Sequence, residues 1–175
     1  MEPFFILGAP RSGTTMLRDI LRQNERLCSP EETHFFRWAS PFRSEEFLKL
    51  YQNNRVLLKH RELDEVSDDD FNTLTTNALT RGQLMSDYGE RIAGKQGGDT
   101  WFDKTPQNVY GLPLMIEQFP RSKVIHLVRN PFAVVKSLLD GKILSVKDVV
   151  GAANYWYEAV SIVNVLKPVL GSNLV

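Results

Sequence analysis

Residues 4–22 read FFILGAPRSGTTMLRDILR, and this stretch decides the fold. Its first part, Phe4 to Leu7, is a continuous apolar run, which is typical of a strand buried on both faces. A loop of small and polar residues follows from Gly8 to Thr15. Apolar residues then recur at helical spacing, and we expect this helix to end near Asn24. A strand, a glycine loop and a helix start predict an anion site, because N–H groups at the helix start lack intrahelical partners.

The loop contains the spacing Gly8-x-x-x-x-Gly13, which fits the first half of a nucleotide-binding P-loop. Thr14 and Thr15 stand where that motif has Lys and then Ser or Thr. Because that lysine reaches the β- and γ-phosphates, its absence argues against hydrolysis of ATP or GTP and also against a P-loop kinase. A cation occurs earlier in the loop, at Arg11. An ordinary glycine-containing strand-to-helix turn is the alternative interpretation.

Composition places the chain in a broad class. Its 175 residues suit one domain, and its 21 basic and 21 acidic side chains cancel, so a protein that wraps a nucleic acid is not expected. There is no run of 18 apolar residues, and Met1-Glu2-Pro3 leads directly into the first strand. We therefore expect a soluble, cytoplasmic protein with no signal peptide and no membrane span. The single Cys28 excludes an intrachain disulfide and suggests no metal cluster.

Two adjacent carboxylates, Glu31 and Glu32, stand close to His34 and follow a short strand predicted at Leu27 to Ser29. Considered alone, they indicate a solvated helix start, because acidic residues favour a first helical turn. Their place after a strand favours a ligand site instead, because the ligands of open α/β sheets bind at the carboxyl ends of strands.

Lys104 also stands at a predicted junction between a strand and a helix, within Trp101-Phe102-Asp103-Lys104-Thr105-Pro106. Thr105 is predicted to cap a helix that begins at Pro106 and runs to about Phe119. Considered alone, Lys104 is more simply a surface lysine.

A second buried strand is predicted from Lys123 to Val128, with Arg129 at its end. Asn130 is expected to cap the following helix, and Pro131 to begin it. Ser137 lies inside this helix, where a serine is usually exposed and inert. An arginine fork at a strand end suits phosphate, to which it makes two charge-assisted hydrogen bonds.

Four segments, at positions 8–15, 31–36, 103–106 and 128–137, together resemble the sulfotransferases that use 3′-phosphoadenosine 5′-phosphosulfate (PAPS). The motifs are most similar to those of the tyrosine-protein, heparan-type and bacterial members. The resemblance implies transfer of a sulfonate from PAPS, a co-substrate, to a hydroxyl or amine of a small-molecule, carbohydrate or peptide acceptor. The nucleotide product would be adenosine 3′,5′-bisphosphate (PAP), and no metal is implied.

The same resemblance implies roles for individual residues. Glu32 would be the general base, with His34 in reserve, and Lys104 and Arg11 would stabilise charge on the transferring group. The 5′-phosphate would be held by Ser12, Gly13, Thr14 and Thr15, and the 3′-phosphate by Arg129 and Ser137. A nucleotide-binding module without catalysis is the main alternative, and a P-loop kinase is the less favoured one.

Residues 40–98 contain no chemical motif and are predicted to form a helical wall around the acceptor pocket. A helix is expected from Ser44 to Tyr51, and the acidic residues 61–70 are expected to form a solvated loop ending in a helix cap rather than a cation site. The following helices should run to about Ala93, with a break or bend near Gly82.

The final part of the chain is predicted to contain a helix from about Val146 to Leu166, capped by Ser145 and Asp148 and stopped by Pro168 and Gly171. Residues 172–175 should begin another strand. Because family members usually continue with a strand and a basic glycine loop, the resemblance implies a single sulfotransferase-like domain over residues 1–175 whose C-terminal part is missing.

The fold expected is a three-layer α/β/α, P-loop NTPase-like domain with a short, mainly parallel sheet. The strands Phe4–Leu7 and Lys123–Val128 should be central and adjacent, which would place Arg11, Arg129 and Glu32 along one rim.

Overall fold

A computed structural model describes residues 2–141, 144 and 146–175. Its sheet contains four strands in the order β2-β3-β1-β4, and every neighbouring pair is parallel. The strands are β1 (Phe4–Gly8), β2 (Leu27–Cys28), β3 (Thr100–Lys104) and β4 (Lys123–Leu127). Because all four run in the same direction, their carboxyl ends meet at one edge of the sheet, as expected from the apolar strand patterns.

The pairing of β1 with β4 confirms that the two strands are adjacent: Phe4 lies opposite Lys123, and Gly8 opposite Leu127. The prediction that both are central is wrong for β4, which is the last of the four strands. Beyond β4, the described residues add one parallel bridge to the sheet, between Val124 and Leu174. The strand expected at residues 172–175 is therefore reduced to this bridge, because Gly171–Asn173 forms a 3₁₀ turn.

Eight helices within the described residues pack with this sheet into the predicted three-layer α/β/α arrangement. They are α1 (Thr14–Leu21), α2 (Glu45–Asn53), α3 (Arg55–Leu63), α4 (Asp68–Asn77), α5 (Arg81–Gln96), α6 (Leu112–Gln118), α7 (Pro131–Asp140) and α8 (Val149–Leu170). Local caps explain several starts: the side chain of Ser44 accepts from Phe47 N at α2, and that of Asn130 accepts from Ala133 N at α7.

Three predicted helix boundaries are corrected. The segment after Thr105 is a 3₁₀ helix, Pro106–Gly111, before α6 begins, and the Thr105 hydroxyl makes no capping bond because it is used elsewhere. The break expected near Gly82 lies at residues 78–80, and Gly82 is within the first turn of α5. Helix α8 continues through Pro168 to Leu170, so only Gly171 of the two predicted stop residues lies at its end.

The cap of α8 is Asp148, whose carboxylate accepts a hydrogen bond from Gly151 N at 2.8 Å, so the helix begins at Val149 rather than at Val146. Ser145, the other predicted member of this cap, lies outside the described residues.

The acidic stretch 61–70 is only partly the solvated loop that was predicted. Ser67 and Asp70 form a capping box at the start of α4, as expected. Arg61 and Asp64 are buried, however: Arg61 pairs with Asp68 at 2.7 Å, and Asp64 accepts from the Tyr88 hydroxyl at 2.8 Å. Arg61, Asp64 and Val66 therefore belong to the packed interior, whereas Glu62, Leu63 and Glu65 between them are exposed.

A cluster of aromatic rings joins the middle helices to the segment that follows β2. Phe35 packs against Tyr51, Phe71 and Tyr88, with ring centroids 5.5 to 6.3 Å apart. Burial of one such side chain contributes about 1.5–3 kcal/mol to stability. The cluster therefore fixes the backbone beside Glu32, which has no regular secondary structure of its own.

Candidate functional site

Each of the four strands delivers one predicted site residue to the same edge of the sheet. Arg11 follows β1, Glu32 follows β2, Lys104 ends β3 and Arg129 follows β4. A cavity of about 190 Å³ lies at this edge, and its lining comprises Pro10, Arg11, Thr14, Thr15, Glu32, Pro106, Gln107, Ser137, Leu138, Gly141 and Leu144. The structure therefore brings the predicted residues together, as ligand sites in parallel α/β sheets require.

The helical wall predicted from residues 40–98 does not line this cavity. Its lining instead comes from the loop after β1, Glu32, the start of the 3₁₀ helix after β3, and α7 with the residues that follow it. The middle helices lie behind the Glu32 segment, where they supply the aromatic packing.

Two glycines shape the loop after β1. At Gly8 an added Cβ would lie 2.5 Å from Leu127 O, so only glycine allows β1 and β4 to approach this closely at their ends. Gly13 has φ +97°, which disfavours other residues, and no heavy atom lies within 4 Å of where its Cβ would be. The loop is therefore open in front of Gly13.

The start of α1 provides hydrogen-bond donors. The helix begins at Thr14, and Leu17 N donates to Gly13 O at 3.2 Å, so the N–H groups of residues 14–16 precede the first intrahelical bond. Ser12 is 8% exposed, and its hydroxyl has no partner among the described residues. These donors, together with the positive end of the helix dipole, suit an anion such as phosphate.

Arg11 and Arg129 lie side by side above this loop. Arg11 Nε donates to Ser137 Oγ at 3.0 Å, and Arg129 Nη1 donates to Arg11 O at 3.1 Å. Trp156 Nε1 donates to Arg129 O at 2.8 Å and so ties the loop after β4 to α8. Both arginines are exposed, and within the described ranges neither forms an ion pair with a carboxylate. Their positive charge is therefore available to an anion from solvent.

Glu32, which lines the cavity, forms an ion pair with Lys104, and Lys104 Nζ also donates to Thr15 Oγ1 at 3.3 Å. Lys104 is only 2% exposed, so the interpretation of it as a surface lysine is wrong. Burial alone would raise the pKa of Glu32, but the hydrogen bond from His34 and the charge of Lys104 outweigh it and lower this pKa to about 2. Glu32 is thus ionised at neutral pH.

His34 lies behind Glu32 rather than in the cavity. Its Nε2 is 3.4 Å from Glu32 Oε2, and its ring stacks on His60 at 6.0 Å between centroids. Burial lowers the pKa of His34, although the Glu32 carboxylate opposes this effect. A neutral His34 that donates to Glu32 fits these contacts, and it would fix the orientation of the carboxylate.

Glu31 points to a different part of the molecule. It pairs with Arg18 at 2.8 Å and with Arg22 at 3.4 Å, and its backbone N–H donates to Asp64 at 2.9 Å. Glu31 does not line the cavity, whereas Glu32 does. The two neighbouring carboxylates therefore divide between a structural ion-pair cluster and the cavity wall.

A buried polar network beneath Lys104 was not predicted from the sequence. Asp103 accepts hydrogen bonds from the Thr33 hydroxyl at 2.8 Å, the Thr105 hydroxyl at 3.0 Å and the Asn108 amide at 3.1 Å. Burial raises the pKa of Asp103 to about 6, although these hydrogen bonds oppose the shift. The network joins the Glu32 segment to the end of β3. The available signal was an aspartate directly after the apolar pair Trp101-Phe102.

The family model described as "Sulfotransferase family" matches residues 3–167. The nodulation protein NoeE of Sinorhizobium fredii is 30% identical over 138 residues, which are 77% of this chain and 30% of that protein. A putative protein-tyrosine sulfotransferase of Caenorhabditis briggsae is 27% identical over 143 residues, which are 79% of this chain and 43% of that protein.

Two solved structures share the fold. The sulfotransferase domain from the Synechococcus PCC 7002 olefin synthase has a TM-score of 0.76 and 21% identity, covering 100% of this chain and 65% of that one. The sulfotransferase domain from the curacin biosynthetic pathway has a TM-score of 0.64 and 23% identity, covering 99% of this chain and 65% of that one. Within residues 2–141, 144 and 146–175, no helix combines the length and apolarity needed to cross a bilayer.

Proposed function

The chain belongs to the sulfotransferase family, and on that premise we propose that it transfers a sulfonate group from PAPS to an acceptor hydroxyl or amine, releasing PAP. The chain spans 30% and 43% of the two curated relatives and 65% of each solved structure. We therefore limit the proposal to the chemistry of the cavity that these residues line.

The observation that carries the proposal is the convergence of four separate segments at one cavity. Arg129 bonds to the backbone of Arg11, and Arg11 bonds to Ser137. Lys104 bridges Thr15 of the loop and Glu32 of the segment after β2. Cations that could hold two phosphates therefore adjoin a carboxylate and a lysine that could assist the transfer of a group between them.

The donor end of the site fits a nucleotide with two phosphate groups. Donors from Ser12 to Thr15 would hold the 5′-phosphate, since the space before Gly13 is open and the Ser12 hydroxyl is buried without a partner among the described residues. Arg129 and Ser137 would hold the 3′-phosphate, because both line a shallow cavity of about 370 Å³ that adjoins the first one through Arg11 and Ser137.

The chemistry assigned to the site is an in-line displacement at sulfur. A bond forms between sulfur and the acceptor oxygen or nitrogen, while the bond between sulfur and the bridging phosphate oxygen breaks. Glu32 takes the acceptor proton, and the electron pair of the broken bond stays on the 5′-phosphate, where Arg11 and Lys104 stabilise the charge. Lys104 would turn from Glu32 toward the sulfonate, which would raise the proton affinity of Glu32 above its value in the ion pair.

The two adjacent glutamates provide the test. Glu32→Gln should lower the rate of transfer from labelled PAPS by about 10²–10⁴-fold, because a positioned base contributes that much. Glu31→Gln is the matched control: it removes a neighbouring carboxylate outside the cavity and should retain most of the activity. Transfer by Glu32→Gln at the wild-type rate would eliminate Glu32 as the base.

A further inference from the structure

A second depression lies beside the reaction cavity, and the two share Gln107. It has a volume of about 360 Å³. We call it the aromatic depression, and its lining comprises Arg37, Trp38, Gln107, Tyr110, Gly151, Asn154, Tyr155 and Glu158. Its wall thus combines the segment after β2, the 3₁₀ helix after β3 and the first half of α8.

We propose that the aromatic depression is the acceptor subsite and that it takes a sugar or another polyhydroxylated acceptor. This inference rests on the proposed sulfonate transfer for its purpose, because the depression opens beside the carboxylate that would deprotonate the acceptor. The sugar class follows from three properties of the wall: its position, its aromatic rings and its balance of polar groups.

The position of the depression suits an acceptor. Gln107 borders both cavities, and the reaction cavity also contains Glu32. Burial lowers the pKa of Arg37, and the Glu32 charge is among the groups that oppose this shift, so the guanidinium lies within electrostatic range of the carboxylate. A molecule seated in the aromatic depression could therefore extend one hydroxyl past Gln107 to Glu32.

The aromatic rings suit the apolar face of a sugar ring. Trp38, Tyr110 and Tyr155 line the depression and are all half-buried, so each keeps part of its surface accessible. The Arg37 guanidinium lies 4.7 Å from the centre of the Trp38 ring, which holds the two side chains together. Tyrosine and tryptophan combine an apolar ring with a polar tip. A sugar likewise has an apolar face of C–H groups and a rim of hydroxyls, so the two surfaces match.

The polar groups suit hydroxyls, which both donate and accept hydrogen bonds. Gln107 is 4% exposed, and its Nε2 has no partner among the described residues, so it has a donor available for a ligand. Asn154 adds a second amide, and the Glu158 carboxylate lies beside the Tyr110 hydroxyl. The charges of Arg37 and Glu158 cancel, whereas an acidic peptide would be recognised by an excess of cations.

The test measures sugar binding directly, without the donor. Glucose, galactose, N-acetylglucosamine and cellobiose are titrated separately and followed by NMR, with N-acetyltyrosinamide as the peptide-like competitor. At least one sugar should bind more tightly than the tyrosine compound, and Tyr155→Ala should weaken that sugar about tenfold. Tyr157→Ala is the matched control on the same helix: Tyr157 is 63% exposed, lies outside the depression and should have no effect.

Glu158→Gln provides a second variant that nearly preserves the shape of the side chain, in case Tyr155→Ala lowers the melting temperature. It should also weaken the bound sugar by about tenfold, because a hydrogen bond to a charged group is lost. The inference is overturned if no sugar in the set binds, or if the sugar binds Tyr155→Ala and Glu158→Gln as tightly as the wild type.

A parallel titration with PAP separates this inference from the proposed function. Sugar binding that depends on Tyr155 in a protein that does not bind PAP would support the subsite and remove the sulfotransferase assignment. Binding of PAP together with the tyrosine compound, but with none of the sugars, would retain the sulfotransferase assignment and overturn the subsite.

Discussion

The two ends of the reaction cavity differ in how their charges are compensated. At the nucleotide end, Arg11 and Arg129 are exposed and bond to a hydroxyl and a backbone carbonyl. At the transfer end, Lys104 and Asp103 are buried, and Lys104 is paired with Glu32. The first arrangement leaves positive charge to attract an anion, whereas the second compensates each buried charge with a neighbouring charged or polar group.

This difference predicts that substitutions at the two ends will affect different measurements. Changes at the nucleotide end should weaken PAP binding and leave folding almost unchanged, because exposed side chains contribute little to stability. Changes at the transfer end should alter the rate, the pKa of Glu32 and the free energy of unfolding together.

Lys104→Met should have the largest effect, lowering the transfer rate about a thousandfold, because a charge-stabilising donor is lost. The same change removes one of the two groups, His34 and Lys104, that lower the pKa of Glu32, and it should raise this pKa, which carboxyl NMR can measure. Lys49→Met, at a lysine exposed on α2, is the control and should change neither quantity. An unchanged pKa of Glu32 in Lys104→Met would contradict the claim that the charge of Lys104 stabilises the ionised carboxylate.

Acid should destabilise the protein partly through Glu32. Its folded-state pKa of about 2 lies below its ordinary value of 4.5, so its contribution is fully present above pH 4.5 and is lost as the pH falls toward 2. The difference corresponds to about 3–4 kcal/mol at most, from about 1.4 kcal/mol per pKa unit. Urea denaturation of the wild type and Glu32→Gln should give unfolding free energies that converge over this range. If the difference between the two unfolding free energies stayed constant with pH, the ion pair of Glu32 with Lys104 would not stabilise the fold.

Asp103→Asn should destabilise the fold by about 2 kcal/mol, because an amide NH₂ group would face donors that now bond to a carboxylate. Denaturant unfolding measures this change. Asp99→Asn is the control, since Asp99 pairs with Arg26 on the surface, and it should cost about 0.5 kcal/mol or less. Equal losses in the two variants would show that the buried network does not support the transfer end.

Ser137→Ala should have the smallest effect, a roughly fivefold loss of PAP affinity from one missing hydrogen bond, without a change in the melting temperature. Calorimetric titration measures the affinity, and Ser161→Ala on α8 is the matched control. If Ser137→Ala lowered the melting temperature without changing the affinity for PAP, Ser137 would support the fold rather than bind the nucleotide.

Some of this organisation could be predicted from the sequence because it is local. The apolar runs of β1 and β4, the Asn130 cap with Pro131, and the cations after the two strands each occupy a few consecutive positions. Their meeting at one edge then follows from the parallel sheet. This reasoning correctly brought Arg11 and Arg129 together.

The unpredicted features depend on partners far apart in the chain. Thr105 has the local pattern of a helix cap, but its hydroxyl instead donates to Asp103 and accepts from Thr33 N, 72 residues away. The aromatic depression likewise joins Arg37 to Tyr155, which no short motif connects. Local patterns specify a strand end or a helix start, whereas only the packed fold specifies which polar groups meet.

The central claim is that the loops after β1 and β4 hold the two phosphate groups of one nucleotide. Its most direct test is calorimetric titration of wild type and Arg129→Met with PAP and with adenosine 5′-phosphate, which lacks the 3′-phosphate. We predict that the wild type binds PAP at least tenfold more tightly and that Arg129→Met removes most of this preference while binding adenosine 5′-phosphate normally. Equal affinities of the wild type for the two nucleotides would contradict the account.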